Sequence, residues 1–292
     1  MNLHRKIGVG CAIAGALLLC ATLGLAAPAG AATPLKYVSL GDSYTSAPNV
    51  GGLATGAPLD CLQSSGNYPH LVSQHLGAAL ADVSCAGADV QNMTSAQYLD
   101  QPPQFNALSP STQIVTLGIG GNDNNTFVGA IAACFTTDVL DIFNIGAPCK
   151  SVFGSTFVNN IASDASNIAA AIVGIHDRSP GAKVFVVGYP DILPQSSNCF
   201  FSIPLTTGDV AYLNNVEVTL NNMLRTQATS NGATFVDTFM PSIGHDACKS
   251  ARVRYVEPVI SGSSGIILHP NTAGESADSV DVLNAMSAAG VH

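Results

Sequence analysis

The sequence predicts an α/β fold: a flavodoxin-like three-layer sandwich, with a central parallel sheet of about five strands and helices on both faces. Three observations carry this expectation. Short apolar runs rich in Val, Ile and aromatic residues recur along the chain, stretches with a helical apolar period separate them, and no repeat, low-complexity tract or linker breaks the alternation. Continuous apolar runs, as opposed to alternating ones, mark strands buried on both faces, which is the habit of a parallel sheet covered by its crossover helices.

The first 32 residues stand apart from this pattern. Arg5 and Lys6 precede an apolar stretch over residues 7–25, and Ala29-Gly30-Ala31 suits cleavage after small residues. The expectation is a signal peptide over residues 1–32 followed by a single domain over residues 33–292. No stop-transfer charges follow the apolar stretch, which argues against an uncleaved anchor, and neither Cys11 nor Cys20 sits in a lipid-attachment context. A remainder of about 260 residues suits one domain with a sizeable core.

Residues 37–40 (Tyr-Val-Ser-Leu) read as the first strand, ended by Gly41. Residues 67–80 carry Leu71, Val72, His75, Leu76 and Ala79 at helical spacing, and residues 82–84 are a short second strand. Residues 113–118 form a third strand that runs into glycines. Ile161, Ala165, Ile168, Ile172 and Ile175 make one stripe of a helix over residues 157–176, which Pro180-Gly181 stops. A strand at 183–187, a helix over 209–229, a strand at 234–237 and a final helix starting near Asn271-Thr272 complete the alternation. Longer insertions occupy residues 46–66, 124–156, 191–208 and 239–268, mostly after strand ends, where α/β folds build their sites.

Composition narrows the function. Without Arg5 and Lys6, 8 Lys and Arg face 19 Asp and Glu, a net charge of −11. Nucleic-acid binding needs clustered basic residues to displace counterions, so it is excluded. No later stretch is long and apolar enough to span a bilayer. Six cysteines remain: Cys61, Cys85, Cys134, Cys149, Cys199 and Cys248. An even number in an exported chain implies disulfides, with about fifteen possible connectivities, of which sequential pairing is the simplest. A Cys134–Cys149 pair would close a loop of 15 residues, worth about 3 kcal/mol in the chain-entropy model. Zinc is disfavoured, because there is no Cys-x-x-Cys and no His/Cys cluster. No metal or other cofactor is expected.

Gly41-Asp42-Ser43 puts a serine on a sharp turn at the end of the first strand. A serine hydroxyl needs a base within hydrogen-bond reach. His70 and His75 fall on a predicted helix, His176 ends one, and His292 is the terminus. His269 differs, since it lies on a loop between Ile266-Ile267-Leu268 and Pro270 at the entry to the last helix. Acyl transfer also needs donors for the developing oxyanion. The backbone N–H of Ser43, that of Gly87 after the second strand, and the amide of Asn122 in Gly120-Gly121-Asn122-Asp123 all follow strand ends. Ordinary turn chemistry would account for each of these alone.

Together, Gly41-Asp42-Ser43-Tyr44, Gly87, Gly120-Gly121-Asn122-Asp123 and His269-Pro270-Asn271 resemble, in order, the four blocks of the SGNH hydrolases, also called GDSL esterases and lipases. Gly244-His245-Asp246-Ala247-Cys248 and Arg254-Tyr255-Val256-Glu257-Pro258 add a likeness to the secreted, disulfide-containing actinobacterial lipase/esterase branch. The resemblance implies Ser43 as nucleophile, His269 as general base, and Ser43, Gly87 and Asn122 as oxyanion donors. It also implies the pairs Cys61–Cys85, Cys134–Cys149 and Cys199–Cys248. One departure stands out: many members carry an aspartate three residues before the histidine, where this chain has Ile266. The expectation is a Ser–His dyad whose Nδ1–H is accepted by a backbone carbonyl, most simply that of Ile266, as the resembling branch allows. A distant acid is the alternative, with Asp246 the best of Asp191, Asp237, Asp246 and Glu257.

The implied protein is a secreted, monomeric esterase or lipase of lipid degradation, acting on small acyl-ester or lipid substrates through an acyl-enzyme, without a stable membrane anchor. Rival functions are acyl transfer or carbohydrate deacetylation through the same intermediate, and a non-catalytic wall-binding role. Phe127, Phe135, Val139, Leu140, Ile142, Phe143, Ile145 and Phe153 either wall an acyl site or close the core. Arg252 and Arg254 either bind an anionic group or pair with Glu257 and nearby acids.

Overall fold

The computed structural model describes residues 33–292 apart from 140, 142, 196, 197, 261 and 263. At its centre lie β1 (Lys36–Gly41), β2 (Ala79–Asp82), β3 (Ile114–Gly118), β4 (Lys183–Val187) and β5 (Thr234–Val236). They form one sheet in the order β2-β1-β3-β4-β5, with every neighbouring pair parallel. Parallel neighbours need crossover connections, and helices supply most of the cover. These are α1 (Ser43–Ser46), α2 (Tyr68–Leu76), α3 (Val128–Asp138), α4 (Pro148–Phe153), α5 (Thr156–Arg178), α6 (Thr207–Ser230), α7 (Phe239–Ser242) and α8 (Thr272–Ala288). The predicted sandwich is thus the observed architecture.

Strand alternation sorts the core into two layers. Val38, Leu40, Val115, Leu117, Val184 and Val186 pack with Ile161, Ile168 and Ile172 of α5 and Val216, Leu220 and Leu224 of α6. Tyr37, Ile114, Phe185, Val187 and Val236 face the other way, onto Tyr68 and Val72 of α2 and Val282 and Met286 of α8. Each such side chain, once fully buried, contributes roughly 1.5–3 kcal/mol, so both layers are needed to hold the sheet.

Two boundaries differ from the sequence reading. The helix expected over 67–80 stops at Leu76, because Gly77 adopts a left-handed conformation (φ +60°) and the N–H of Ala78 closes the last turn onto Ser73 O at 3.0 Å. Leu80 then belongs to β2, which starts at Ala79 instead of Asp82. β2 is an edge strand whose residues alternate between exposed and half-buried, so it lacks the apolar run that reveals the central strands.

The three cysteine pairs are Cys61–Cys85, Cys134–Cys149 and Cys199–Cys248. They brace insertions, not the sheet. Among the described residues, no helix is long and apolar enough to cross a membrane. The expected signal peptide, residues 1–32, lies outside the described residues.

Candidate active site

β1 ends at Gly41, where a Cβ would lie 2.2 Å from Thr45 Oγ1 and 2.7 Å from Gly118 O. Only glycine lets the chain fold back this tightly beside β3. The N–H of Asp42 donates to Gly118 O at 2.9 Å, and its Oδ1 accepts the N–H of Tyr44 at 2.9 Å, capping α1. Ser43 therefore opens α1 at the C-terminal end of the sheet. The buried Oδ2 of Asp42 accepts from Tyr189 OH at 2.6 Å, and Tyr189 OH in turn accepts from the N–H of Gly121 at 2.7 Å. Burial pushes the Asp42 carboxyl up to about 7, against the pull of these hydrogen bonds. One carboxyl thus links the serine turn to the loop after β3.

That loop also grips the loop after β2. Asn122 Nδ2 donates to Ala88 O at 2.8 Å, and Asp123 Oδ1 accepts the N–H of Val90 at 2.9 Å, flanking Gly87 on its C-terminal side. On the other side, the N–H of Cys85 donates to Gly41 O at 3.0 Å and that of Ala86 to Cys61 O at 3.0 Å. Since β2, β1 and β3 are neighbours, Ser43, Gly87 and Asn122 gather at one end of the sheet. Among the described residues, no protein acceptor takes the backbone N–H of Ser43 or Gly87.

His269 arrives on a loop that belongs to no strand. The N–H of Leu268 donates to Glu257 O at 2.8 Å and that of Glu257 to His269 O at 3.0 Å, while Val256 and Pro270 form an antiparallel bridge. Asn271 caps α8 through the N–H groups of Ala273 and Gly274 and donates from Nδ2 to Arg254 O at 3.0 Å. His269 Nε2 then lies 2.7 Å from Ser43 Oγ, and Nδ1 lies 2.8 Å from Ile267 O. A carbonyl only accepts, so Nδ1 carries the proton and Nε2 offers its lone pair to the serine hydroxyl.

The expected partner, the carbonyl of Ile266, is not the one that meets the ring. It accepts the backbone N–H of His269 at 3.2 Å, and the next carbonyl, of Ile267, faces Nδ1. Among the described residues, no ion pair involves His269. The distant acids have other partners: Asp246 pairs with Lys249, Asp237 with Arg225, Glu257 with Arg254, and Asp191 accepts from Gln195. Burial lowers the imidazole to about 4, with the Ile267 carbonyl acting in the opposite direction. The other histidines lie apart: His70 and His75 on α2, His176 on α5, and His245 stacked on Tyr255.

A family model, the GDSL-like Lipase/Acylhydrolase family, matches residues 39–277. The chain belongs to this family. Lipase 2 of Streptomyces coelicolor is 44% identical over 253 residues, 86% of this chain and 85% of that protein. The crystal structure of phospholipase A1 from Streptomyces albidoflavus NA297 matches with a TM-score of 0.69 at 26% identity, over 87% of this chain and 99% of that one. An extracellular lipase from Streptomyces rimosus matches with a TM-score of 0.67 at 25% identity, over 86% and 99% of the two chains. The chain is a carboxylic ester hydrolase of the lipase and esterase type.

Beside the imidazole, this hydrolase has an apolar cavity of about 200 Å³, bounded by Tyr44, Leu268 and His269, by Val128, Ile131, Ala132 and Phe135 of α3, and by Ile267. The aromatic residues of the second insertion divide between the two roles the sequence left open. Phe135 lines the cavity, Phe127 is core, and Phe153 packs on Phe157. Phe143 and Ile145 are exposed, and Leu140 and Ile142 lie outside the described residues. Arg254 is buried against Glu257 at 2.7 Å, whereas Arg252 is exposed.

Sequence reasoning missed two residues here, Tyr44 and Tyr189. The Tyr44 ring stacks on His269 with centroids 4.5 Å apart, its OH donates to Leu268 O at 2.5 Å, and Tyr189 meets it edge-on at 5.0 Å. Tyr44 gave one signal, its place directly after the serine. Tyr189, far along the chain, gave none.

Proposed function

We propose that this hydrolase is a secreted serine esterase or lipase that cleaves acyl esters through an acyl-enzyme on Ser43, with a Ser43–His269 dyad supported by the Ile267 carbonyl. The observation that carries this reading is the 2.7 Å approach of His269 Nε2 to Ser43 Oγ, with His269 also lining an apolar cavity. Nε2 takes the hydroxyl proton as Oγ attacks the ester carbonyl. The N–H groups of Ser43 and Gly87 and the Asn122 amide receive the oxyanion, each such donor being worth about 10²–10³ in rate. The ester bond then breaks, the imidazolium returns its proton to the leaving alcohol, and water repeats the sequence to release the acid.

The cavity points to the acyl side of the substrate. Its walls are apolar, from Val128, Ile131, Ala132 and Phe135 of α3 to Ile267 and Leu268, so it suits an acyl chain longer than acetyl. The phospholipase A1 and lipase relatives support a lipid ester as the natural substrate. Secretion is supported by the three disulfides, which persist in oxidising compartments.

The test is hydrolysis of p-nitrophenyl esters from acetyl to palmitoyl by the purified protein and its Ser43→Ala variant. Activity that rises from acetyl to longer chains and disappears in the variant is the expected result. Hydrolysis that survives Ser43→Ala overturns the assignment of the nucleophile.

A further inference from the structure

A lone imidazole held by one carbonyl keeps freedom that a general base cannot use. The bond to Ile267 O fixes Nδ1, but the ring can still swing about that contact and carry Nε2 away from Ser43. Leu268, between the carbonyl and the histidine, has φ +57°, a left-handed conformation that residues bearing a side chain seldom adopt unless their surroundings hold it. The rotation at Leu268 turns the preceding peptide so that the Ile267 carbonyl meets the ring. Two bonds hold it: the N–H of Leu268 to Glu257 O at 2.8 Å, and Tyr44 OH to Leu268 O at 2.5 Å.

We infer that Tyr44 is the positioning residue that orients His269 in place of a side-chain acid, its ring fixing the imidazole plane and its hydroxyl fixing the left-handed peptide that aims Ile267 O at Nδ1. The inference rests on the Ser43–His269 reading above. The stack is close to parallel, 28° between planes, and Tyr189 meets Tyr44 edge-on at 77°. Tyr189 is itself bonded to Asp42 and Gly121. The orientation of the base is thereby referred back to the same turn that carries the nucleophile. Burial first, with Glu217 and Asp42 adding to it, pushes the Tyr44 phenol well above its ordinary range, so it stays a donor at any working pH.

The test compares Tyr44→Phe in two backgrounds, with kcat, KM and the rate of inactivation by diethyl p-nitrophenyl phosphate as readouts. That reagent reports on serine activation without filling the acyl cavity. Tyr44→Phe keeps the ring and loses only the hydroxyl. It should lower kcat and the inactivation rate roughly tenfold with KM little changed, as expected for a displaced catalytic group. In a Leu268→Asn background, where asparagine tolerates the left-handed conformation, the same change should cost less than about threefold. Leu268→Val with Tyr44 intact gives a second route: a β-branched residue resists positive φ, so kcat should again fall roughly tenfold. A rise in KM with kcat and inactivation unchanged would make Tyr44 only a wall of the cavity and overturn the inference. So would equal losses in both backgrounds, or full activity in Leu268→Val. If Ser43→Ala is inactive while Tyr44→Phe is fully active, only this inference fails. If Ser43→Ala remains active, the dyad reading fails and takes this one with it.

Discussion

Ser43 and His269 are placed by different means. The serine turn is an extension of the sheet: Gly41 donates to and accepts from the buried Gln104 side chain at 2.8 and 2.9 Å, and Asp42 bonds across to Gly118 and down to Tyr189. The histidine loop is held by its backbone against residues 255–257, by the Asn271 side chain on Arg254 O, and by one tyrosine from the serine turn. In the proposed roles, the nucleophile needs only its position, which a strand end supplies. A base needs position and ring orientation, and the second demands contacts from elsewhere in the chain.

The largest effects should come from removing either end of the 2.7 Å contact. Ser43→Ala and His269→Ala should each lower kcat by about 10⁴-fold or more, and the double variant should be no worse than the poorer single one. Losses that multiply instead would show that the two residues act independently. The supports of the two regions should differ next. Asp42→Ala removes a cap and leaves Tyr189 OH without its buried acceptor, costing about 2–4 kcal/mol in urea unfolding. Asn271→Ala removes the α8 cap under the histidine loop and the bond from Nδ2 to Arg254 O, and should cost about 2 kcal/mol, one typical cap and one ordinary hydrogen bond. Equal costs would mean that the histidine loop is bound into the fold as firmly as the serine turn.

The same contrast explains what the sequence revealed. The central strands were legible because Val115, Leu117, Val184 and Val186 are buried on a sheet covered on both faces, so their runs are unbroken. Gly41 and Ser43 were legible because a strand end followed by a tight turn has a short, local signature. Ile267 was not, because the choice between its carbonyl and that of Ile266 depends on the left-handed turn at Leu268, and nothing in that residue type announces it. Tyr189 acts on Asp42 across 147 positions of sequence, a contact that no local pattern encodes. The end of α2 was misread for a simpler reason: the apolar period continues through Leu80 while Gly77 has already turned the backbone.

A pH profile sharpens the comparison further. A base must be neutral to accept the serine proton, and burial lowers His269 from its ordinary 6.5 to about 4. kcat/KM should therefore hold its plateau down through pH 5 and fall by about tenfold per unit once the pH passes below the imidazole pKa. A limb near neutrality would report either a carboxylate partner of the imidazole or the Asp42 carboxyl itself, and its persistence in Asp42→Asn would leave the partner. Stability should run the other way. Burial raises Asp42 and Asp123 from 3.8 to about 7, so between those values the folded state holds protons that the unfolded chain has released. Stability then falls as pH rises through that window. His269 opposes this between about 4 and 6.5. Tm should be higher at pH 5 than at pH 8, and the reverse order would show that these carboxylates are ionised in the folded state.

The smallest effect is expected where the chain departs most from the usual acid. Ile267 offers His269 its backbone carbonyl, while its side chain is half exposed at 53% and lines only one edge of the cavity. Ile267→Ala keeps the carbonyl and the φ and ψ preferences of an ordinary residue, so kcat for a short ester should change by less than about threefold, with a modest rise in KM for chains that reach the cavity edge. An alanine variant as impaired as His269→Ala would mean that the side chain, and not the peptide, supports the base.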